Sequence, residues 1–136
     1  MAGYSQTPLA KKLGIKDGFR LRLINQPDYY FELFTDLPQN ITVLTDKKTR
    51  KNFIHYFAKK AEDLEKNMPA FKNEIEEDGM VWISWYKKAS KIPTDITEDI
   101  IRRIALSNGF VDIKVCAVDE IWSGLKLVIP VKNRSV

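Results

Sequence analysis

One stretch decides the fold: residues 78–90, which read D-G-M-V-W-I-S-W-Y-K-K-A-S. The turn glycine Gly79 is followed by an apolar, β-branched and aromatic run, residues 80–86, that only Ser84 interrupts. A nearly continuous apolar run bounded by turn signals is typical of a strand buried on both faces. We therefore predict that residues 80–86 form a fully buried central strand, followed by a basic loop at residues 87–90.

Composition places the chain among single-domain globular proteins. It has 136 residues, of which 44% are hydrophobic, so it can bury a core and global disorder is excluded. The net charge of +4 allows an anionic partner without implying nucleic acid. With one cysteine and one histidine, neither an internal disulfide nor a conventional zinc site is expected. The N-terminus lacks the apolar core of a signal peptide and no run could span a bilayer, so we expect a cytoplasmic protein without a membrane partner.

Helices and strands alternate along the chain up to residue 118. Thr7 and Pro8 start a first helix within a lead-in of residues 1–18, Pro69 predicts a kink or a two-piece second helix, and Asp95 with Glu98 forms a capping box for a third. Asp28 is a candidate cap for a short helix at 28–34. Strands are predicted at 19–25, 41–45, 53–57, 80–86, 111–118 and 125–131, and a frayed tail at 132–136.

This order resembles the Rossmann-like fold of class I methyltransferases. There, too, a helix and a turn glycine precede the penultimate parallel strand, here D-G-M-V-W-I-S-W. A terminal hairpin, here G-F-V-D-I-K-V and G-L-K-L-V-I, then closes the sheet. The resemblance implies a three-layer α/β sandwich, with a mostly parallel sheet of about six strands and a C-terminal antiparallel β-hairpin.

One region does not fit that scheme. Only residues 46–51 separate the strand at 41–45 from the next, whereas a parallel crossover needs a dozen residues or more. The strand at 41–45 is therefore either a vestigial edge strand or an antiparallel partner of strand 53–57. The third strand of the methyltransferase sheet has no room.

Three motifs carry a second resemblance. They are M-A-G-Y-S-Q-T-P-L-A-K-K-L-G-I-K at the start, K-K-A-S with T-D-I-T-E-D in the middle, and D-I-K-V-C-A-V-D-E-I-W-S-G-L-K-L-V-I at 112–129. Together they resemble a family of small bacterial proteins that is labelled only as a domain of unknown function. This resemblance implies no activity, cofactor or catalytic residue.

The segment after the first strand argues against a cofactor. Methyltransferases and dehydrogenases place a glycine-rich loop there, so that the backbone can approach the ligand closely. Here the strand ends in Ile24-Asn25-Gln26-Pro27, without a glycine. Asp46 is the only acidic residue placed to hold a ribose, and it lies in a basic loop. We expect no cofactor and no measurable binding of S-adenosylmethionine.

Polar residues are expected to meet at the carboxyl ends of the strands, where open α/β sheets bind ligands. They are Lys87, Lys88, Ser90, Asp95, Asp119, Glu120, Trp122 and Ser123, with Lys59 and Lys60 nearby. Lysines and carboxylates beside a tryptophan could bind an anionic or polar small molecule. The alternative is structural: Asp95 caps its helix, Lys87 or Lys88 pairs with Glu120, and Trp122 plugs the hairpin.

Three further groups have a structural interpretation and a functional one. His55 lies in an apolar strand without a partner in sequence, so we interpret it as a satisfied core histidine rather than a general base. Cys116 is interpreted as a buried, inert thiol. The loop containing Lys47, Lys48, Arg50 and Lys51 is interpreted as solvated, although it could contact phosphates.

Three functions remain open. The one we favour is a non-enzymatic binding or interaction module on a methyltransferase-like sheet that has lost its cofactor loop. The second is a small-molecule enzyme, a divergent methyltransferase, that uses the edge formed by Lys87, Asp119 and Glu120. The third is a nucleic-acid binder through Lys47–Lys51, which the absence of aromatic residues in that loop disfavours.

Overall fold

The computed structural model describes residues 7–135, so the first six residues of the N-terminal motif and Val136 of the predicted tail lie outside it. The helices are α1 (Leu9–Leu13), α2 (Ala61–Glu74) and α3 (Glu98–Ser107). The strands are β1 (Arg20–Ile24), β2 (Thr42–Val43), β3 (Lys51–Phe57), β4 (Ile75–Tyr86), β5 (Val111–Ala117) and β6 (Trp122–Val128). Short 3-10 turns occupy Tyr30–Leu33, Lys88–Ser90 and Val131–Asn133.

The six strands form one sheet in the order β2-β1-β3-β4-β6-β5. Strands β2, β1, β3 and β4 are parallel, whereas β6 is antiparallel to both β4 and β5. The C-terminal hairpin therefore inserts its last strand beside the central one, and β5 runs parallel to β4. This arrangement confirms the predicted α/β fold with its terminal antiparallel hairpin.

The central strand is longer than the apolar run predicted. It spans Ile75–Tyr86, with β3 on one side and β6 on the other, as expected. Its residues are buried from Met80 to Ser84, but Trp85 and Tyr86 are only half-buried. The prediction of full burial is therefore wrong for the last two positions, because they reach the end of the sheet where the covering helices stop.

Each face of the sheet buries its own apolar layer. On one face, Ile54, Val81 and Leu125 pack with α2 and α3. On the other, Trp82 packs with α1 and with the segment around Tyr30. The indole Nε1 of Trp82 donates a hydrogen bond to the carbonyl of Leu13 at 2.9 Å, which ties α1 to the centre of the sheet.

Strand β2 is a vestigial edge strand. It pairs in parallel with β1 over two positions, Arg20↔Thr42 and Leu21↔Val43, and forms no ladder with β3. The antiparallel alternative is therefore wrong. The short connection from β2 to β3 is long enough because β2 has only two residues, so the chain returns over a short distance before β3 begins.

The helix starts use different residues from those predicted. The α1 cap is Pro8, without a side-chain cap bond, and the Asp36 carboxylate instead accepts from the N–H groups of Ala10 and Lys11 at 2.9 and 3.0 Å. Helix α3 begins at Thr97, whose hydroxyl accepts from the N–H of Ile100. Asp28 caps nothing either, because the 3-10 turn at Tyr30–Leu33 has no side-chain cap bond.

Two predictions about α2 and its neighbours also need correction. The helix runs from Ala61 to Glu74 without a break at Pro69, so the two-piece version is wrong. Asp95, the predicted cap of α3, accepts from the N–H of Ala61 at 2.9 Å and so supports the start of α2. The predicted capping box is therefore replaced by a contact between two helices.

Candidate functional site

The hairpin turn and the loop after β4 meet at one edge of the sheet, which we call the carboxyl edge. The N–H of Lys87 donates to the carbonyl of Ile121 at 2.8 Å. The indole of Trp122 stacks on Tyr86 with ring centroids 4.2 Å apart and meets the edge of Phe57 at 4.9 Å. The two loops therefore lie next to each other, as expected, and the packing of Trp122 against Tyr86 and Phe57 stabilises this contact.

Asp119 holds the hairpin turn in place. Its Oδ1 accepts from the N–H groups of Ile121 and Trp122 at 2.8 and 2.7 Å. Its Oδ2 accepts from the hydroxyl of Tyr29 at 2.9 Å. Burial, together with this carboxylate, raises the pKa of Tyr29 above its ordinary value. Asp119 is thus engaged on both oxygens, and its contacts fix the position of Trp122.

The predicted ion pair across the edge is not formed. Lys88 and Glu120 are both exposed, and among residues 7–135 no ion pair involves either of them. Ser90 closes its own turn, since its hydroxyl donates to the carbonyl of Lys87 at 2.6 Å and accepts from the N–H of Ile92. Ser123 pairs with Trp85 and Ala117 in the sheet. Of the predicted site residues, Ser90, Asp95 and Asp119 therefore have structural bonds, while Lys88 and Glu120 are left to solvent.

A cleft of about 750 Å³ opens beside the loop after β4, and we call it the lysine cleft. Lys87, Lys88 and Lys91 line it, with the half-buried rings of Trp85 and Tyr86 beside them. The remaining lining residues are Ile92, Pro93, Thr94, Ile96, Thr97, Glu98 and Asp99. Lysine ammonium groups beside aromatic rings offer both a charge and an apolar surface to a ligand.

The acidic residues of the lysine cleft are already paired. Glu98 and Asp99 both form ion pairs with Arg102, the latter at 2.8 Å. The hydrogen bonds that Arg102 donates to Asp112 and then to Glu98 raise the pKa of Arg102 above its ordinary value. Arg102 therefore offsets part of the negative charge of the first turn of α3, and the lysines outnumber the carboxylates among the residues that line the cleft.

A second, smaller cleft of about 370 Å³ lies where β1, β3 and β4 end, and we call it the strand-end cleft. It shares Tyr86 and Ile92 with the lysine cleft. Its other lining residues are Asn25, Gln26, Pro27, Asp28, Tyr29, Lys59, Ile121 and Trp122. Sequence reasoning assigned no site role to Asn25 or Tyr29, because nothing in the sequence shows that three distant segments converge there.

The strand-end cleft occupies the place where this fold class binds a cofactor, at the carboxyl end of β1. Asn25 holds a left-handed backbone conformation, φ +59°, which a glycine would adopt at no steric cost. Its side-chain amide bonds the carbonyl of Phe57 at 3.5 Å. Gln26 and Pro27 then line the cleft at the position where a glycine loop would present bare backbone.

Asp46 is the only acidic residue in the loop between β2 and β3, and its carboxylate is hydrogen-bonded within that loop. Its Oδ1 accepts from the N–H groups of Lys48 and Thr49 at 3.0 and 2.7 Å, and the Thr49 bond lowers the pKa of Asp46. A carboxylate committed to a local turn is poorly placed to bind the hydroxyls of a ribose. Within residues 7–135, no group of three His, Cys, Asp or Glu side chains could hold a metal ion.

His55 is a satisfied core residue, as predicted. It is fully buried, with its Nδ1 2.9 Å from the hydroxyl of Tyr30 and its Nε2 2.7 Å from that of Ser84. Burial lowers the pKa of His55 to about 3, so the ring is neutral at physiological pH. Cys116 is half-buried rather than buried, because β5 lies at the sheet edge, and burial raises the pKa of its thiol.

The basic loop before β3 is only partly solvated. Lys51 is fully buried and lies 3.3 Å from the carboxylate of Glu74, which also binds Arg22 at 2.6 Å. Arg50 donates to the carbonyl of Ile75. The solvated interpretation is therefore wrong for Lys51, whereas Lys47, Lys48 and Arg50 are exposed.

The comparisons with known proteins support the fold. No protein-family model and no curated protein matches the chain. Among solved structures it is similar to a SAM-dependent methyltransferase from Aquifex aeolicus, with a TM-score of 0.63, 15% identity, and coverage of 88% of this chain and 87% of the other. It is also similar to magnesium protoporphyrin IX methyltransferase from Synechocystis PCC 6803, solved with bound SAH (TM-score 0.60, 11% identity, 85% and 75% covered). At these identities the likeness establishes a methyltransferase-like Rossmann fold. No helix in residues 7–135 is long and apolar enough to cross a membrane.

Proposed function

We propose that this protein is a non-enzymatic binding module on a methyltransferase-like fold that has lost the S-adenosylmethionine site. One observation carries the proposal: Gln26 and Pro27, rather than glycines, line the strand-end cleft at the position where a cofactor needs bare backbone. Tyr29 and Trp122 fill the adjoining space, held by the bonds of Asp119. The residues present therefore do not fit the cofactor of the fold, and no reaction step is assigned through it.

The ligand we propose is a small molecule with an anionic group and a flat or apolar body, bound in the lysine cleft. Lys88 and Lys91 are exposed and form no ion pair in the described chain, so their ammonium groups are open to an anion. Trp85 and Tyr86 supply ring surface beside them. A cleft of about 750 Å³ is within the size range of small-molecule sites.

The divergent methyltransferase is the second candidate, and the structural neighbours favour it. The carboxyl edge argues against this candidate, because both oxygens of Asp119 already accept hydrogen bonds, from the hairpin turn and from the hydroxyl of Tyr29. Nucleic-acid binding through Lys47–Lys51 is weaker still, since Lys51 is buried against Glu74. We also propose that the protein is cytoplasmic, which the free thiol of Cys116 supports, and bacterial, which the three-motif resemblance supports.

A thermal-shift screen tests the proposal, since a ligand that binds only the native state raises the melting temperature. The ligands are S-adenosylmethionine, nucleotides, sugar phosphates and aromatic carboxylates. At one hundred times its Kd a true ligand contributes about 2.7 kcal/mol, a shift on the order of 8 °C for this size of domain. Lys88→Gln combined with Lys91→Gln should abolish the shift, and the control Lys47→Gln should keep it. A shift produced by S-adenosylmethionine alone would contradict the proposal and support the enzyme.

A further inference from the structure

Lys114 and Lys126 face each other across the terminal hairpin, away from both clefts, and Lys16 follows α1 closely enough for its charge to act on Lys126; we call the three residues the lysine cluster. The register of the terminal hairpin places Lys114 directly opposite Lys126 on neighbouring strands. Lys126 is in turn opposite Trp82 of β4, on the face that α1 covers. Its Nζ lies 3.8 Å from the position that a Cβ on Gly14 would take, so its ammonium group sits against the end of α1.

The cluster has no compensating charge in the described chain. None of its three ammonium groups forms an ion pair or hydrogen bond within residues 7–135. Lys12 adds a further cation near this hairpin, since it donates to the carbonyl of Ala117 at 2.7 Å and its charge, like that of Lys114, acts on the thiol of Cys116. Burial, and then the charges of Lys114 and Lys16, lower the pKa of Lys126.

Such an arrangement destabilises the fold on its own. Like charges directly opposite on adjacent strands repel, and a half-buried ammonium group loses hydration without gaining a partner. No described contact uses the charge of Lys126, because its ammonium group has no hydrogen-bond or ion-pair partner within residues 7–135. An uncompensated charge that the fold does not need is what an anion-binding site requires.

We propose that Lys16, Lys114 and Lys126 form a binding site for a compact, multiply charged phosphate-class oxyanion on the α1 face of the hairpin. Ammonium groups act as point charges with three donors each, which suits a phosphate whose oxygens are presented on several sides. The site is separate from the carboxyl edge, because Lys126 lies four residues along β6 from Trp122, about 13 Å away. The bound anion would neutralise the repulsion between strands β5 and β6.

Pyrophosphate and inorganic phosphate are the probes, each compared with sodium chloride at matched ionic strength to remove simple screening. Melting temperatures and isothermal titration calorimetry are recorded for the wild type, Lys126→Gln, Lys114→Gln and the control Lys47→Gln. Pyrophosphate should raise the melting temperature of the wild type and of the control more than chloride does. Both cluster variants should bind it at least tenfold more weakly, and without anion they should melt above the wild type.

Three results would overturn the site. The first is an equal shift in the melting temperature of the wild type with pyrophosphate and with chloride. The second is unchanged pyrophosphate affinity in both cluster variants. The third is an equal loss of affinity in Lys47→Gln, which would mean that only the net charge matters. If Lys126→Gln does not fold, Lys114→Gln decides alone, because its exposed side chain has no packing role. A phosphate ester that binds only in the lysine cleft is distinguished by its sensitivity to Lys88→Gln.

Discussion

Acid should unfold this protein through a single buried histidine. His55 is the only histidine of the chain, and burial between Tyr30 and Ser84 lowers its pKa from 6.5 to about 3. His55 therefore binds a proton near pH 6.5 in the unfolded chain but only near pH 3 in the folded protein. The stabilising contribution is complete above pH 6.5 and is lost as the pH falls through that interval.

The magnitude follows from the pKa difference. Each pH unit between 6.5 and about 3 removes up to about 1.4 kcal/mol, so acidification from pH 7 to 4.5 should cost about 2.7 kcal/mol from this residue. Urea unfolding of the wild type and of His55→Gln at both pH values measures it, because the carboxylates contribute equally to the two proteins. The pH-dependent loss should be smaller in the variant by about that amount.

Proton NMR gives an independent reading of the same group. The single imidazole should show no titration in the folded protein down to pH 4.5. If its resonance titrates near pH 6.5 while the protein remains folded, or if the two proteins lose equal stability on acidification, the buried and neutral histidine is refuted.

Three further substitutions test the fold and are read by urea unfolding at pH 7. Glu74→Gln should cost about 3–5 kcal/mol, because it removes the buried carboxylate that Lys51 and Arg22 share and leaves Lys51 only the exposed carboxylate of Asp46 at 3.7 Å, and a loss below 1 kcal/mol would show that the pair is solvated. Thr97→Ala should cost about 1 kcal/mol through loss of the α3 cap, and no loss would return that role to Asp95. Gly79→Ala should cost about 1–3 kcal/mol, since a Cβ there would lie 3.0–3.2 Å from three backbone carbonyls, and a neutral result would show that this backbone can move apart.

The sequence was informative wherever a local pattern sets the global arrangement. The apolar run at 80–86 identified the central strand, and the helical crossover after it implied that Asp119 and Lys87 would lie at one edge. That inference needs only the parallel direction of β4 and β5, which handedness and helix length determine. His55 was interpreted correctly because a histidine inside an apolar strand must find its partners in the core.

Contacts between distant segments were beyond such reasoning. Asp36 and Asp95 support helix starts 26 and 34 residues away, so no local cap pattern could identify them. The sequence around Lys51 is that of a basic loop, yet Lys51 is buried because it forms an ion pair with Glu74 in the interior. The strand-end cleft was missed for the same reason, because β1, β3, β4 and the hairpin turn must all be placed before Asn25 and Tyr29 are seen to share it.

The proposed loss of the cofactor site is tested most directly by isothermal titration calorimetry of the wild-type protein with S-adenosylmethionine, on a sample whose cooperative melting shows that it is folded. Because Gln26 and Pro27 line the cleft at the end of β1 in place of glycines, we expect no measurable heat of binding. Micromolar binding to that sample would contradict the proposal, and would show that the side chains of this loop move aside for the cofactor.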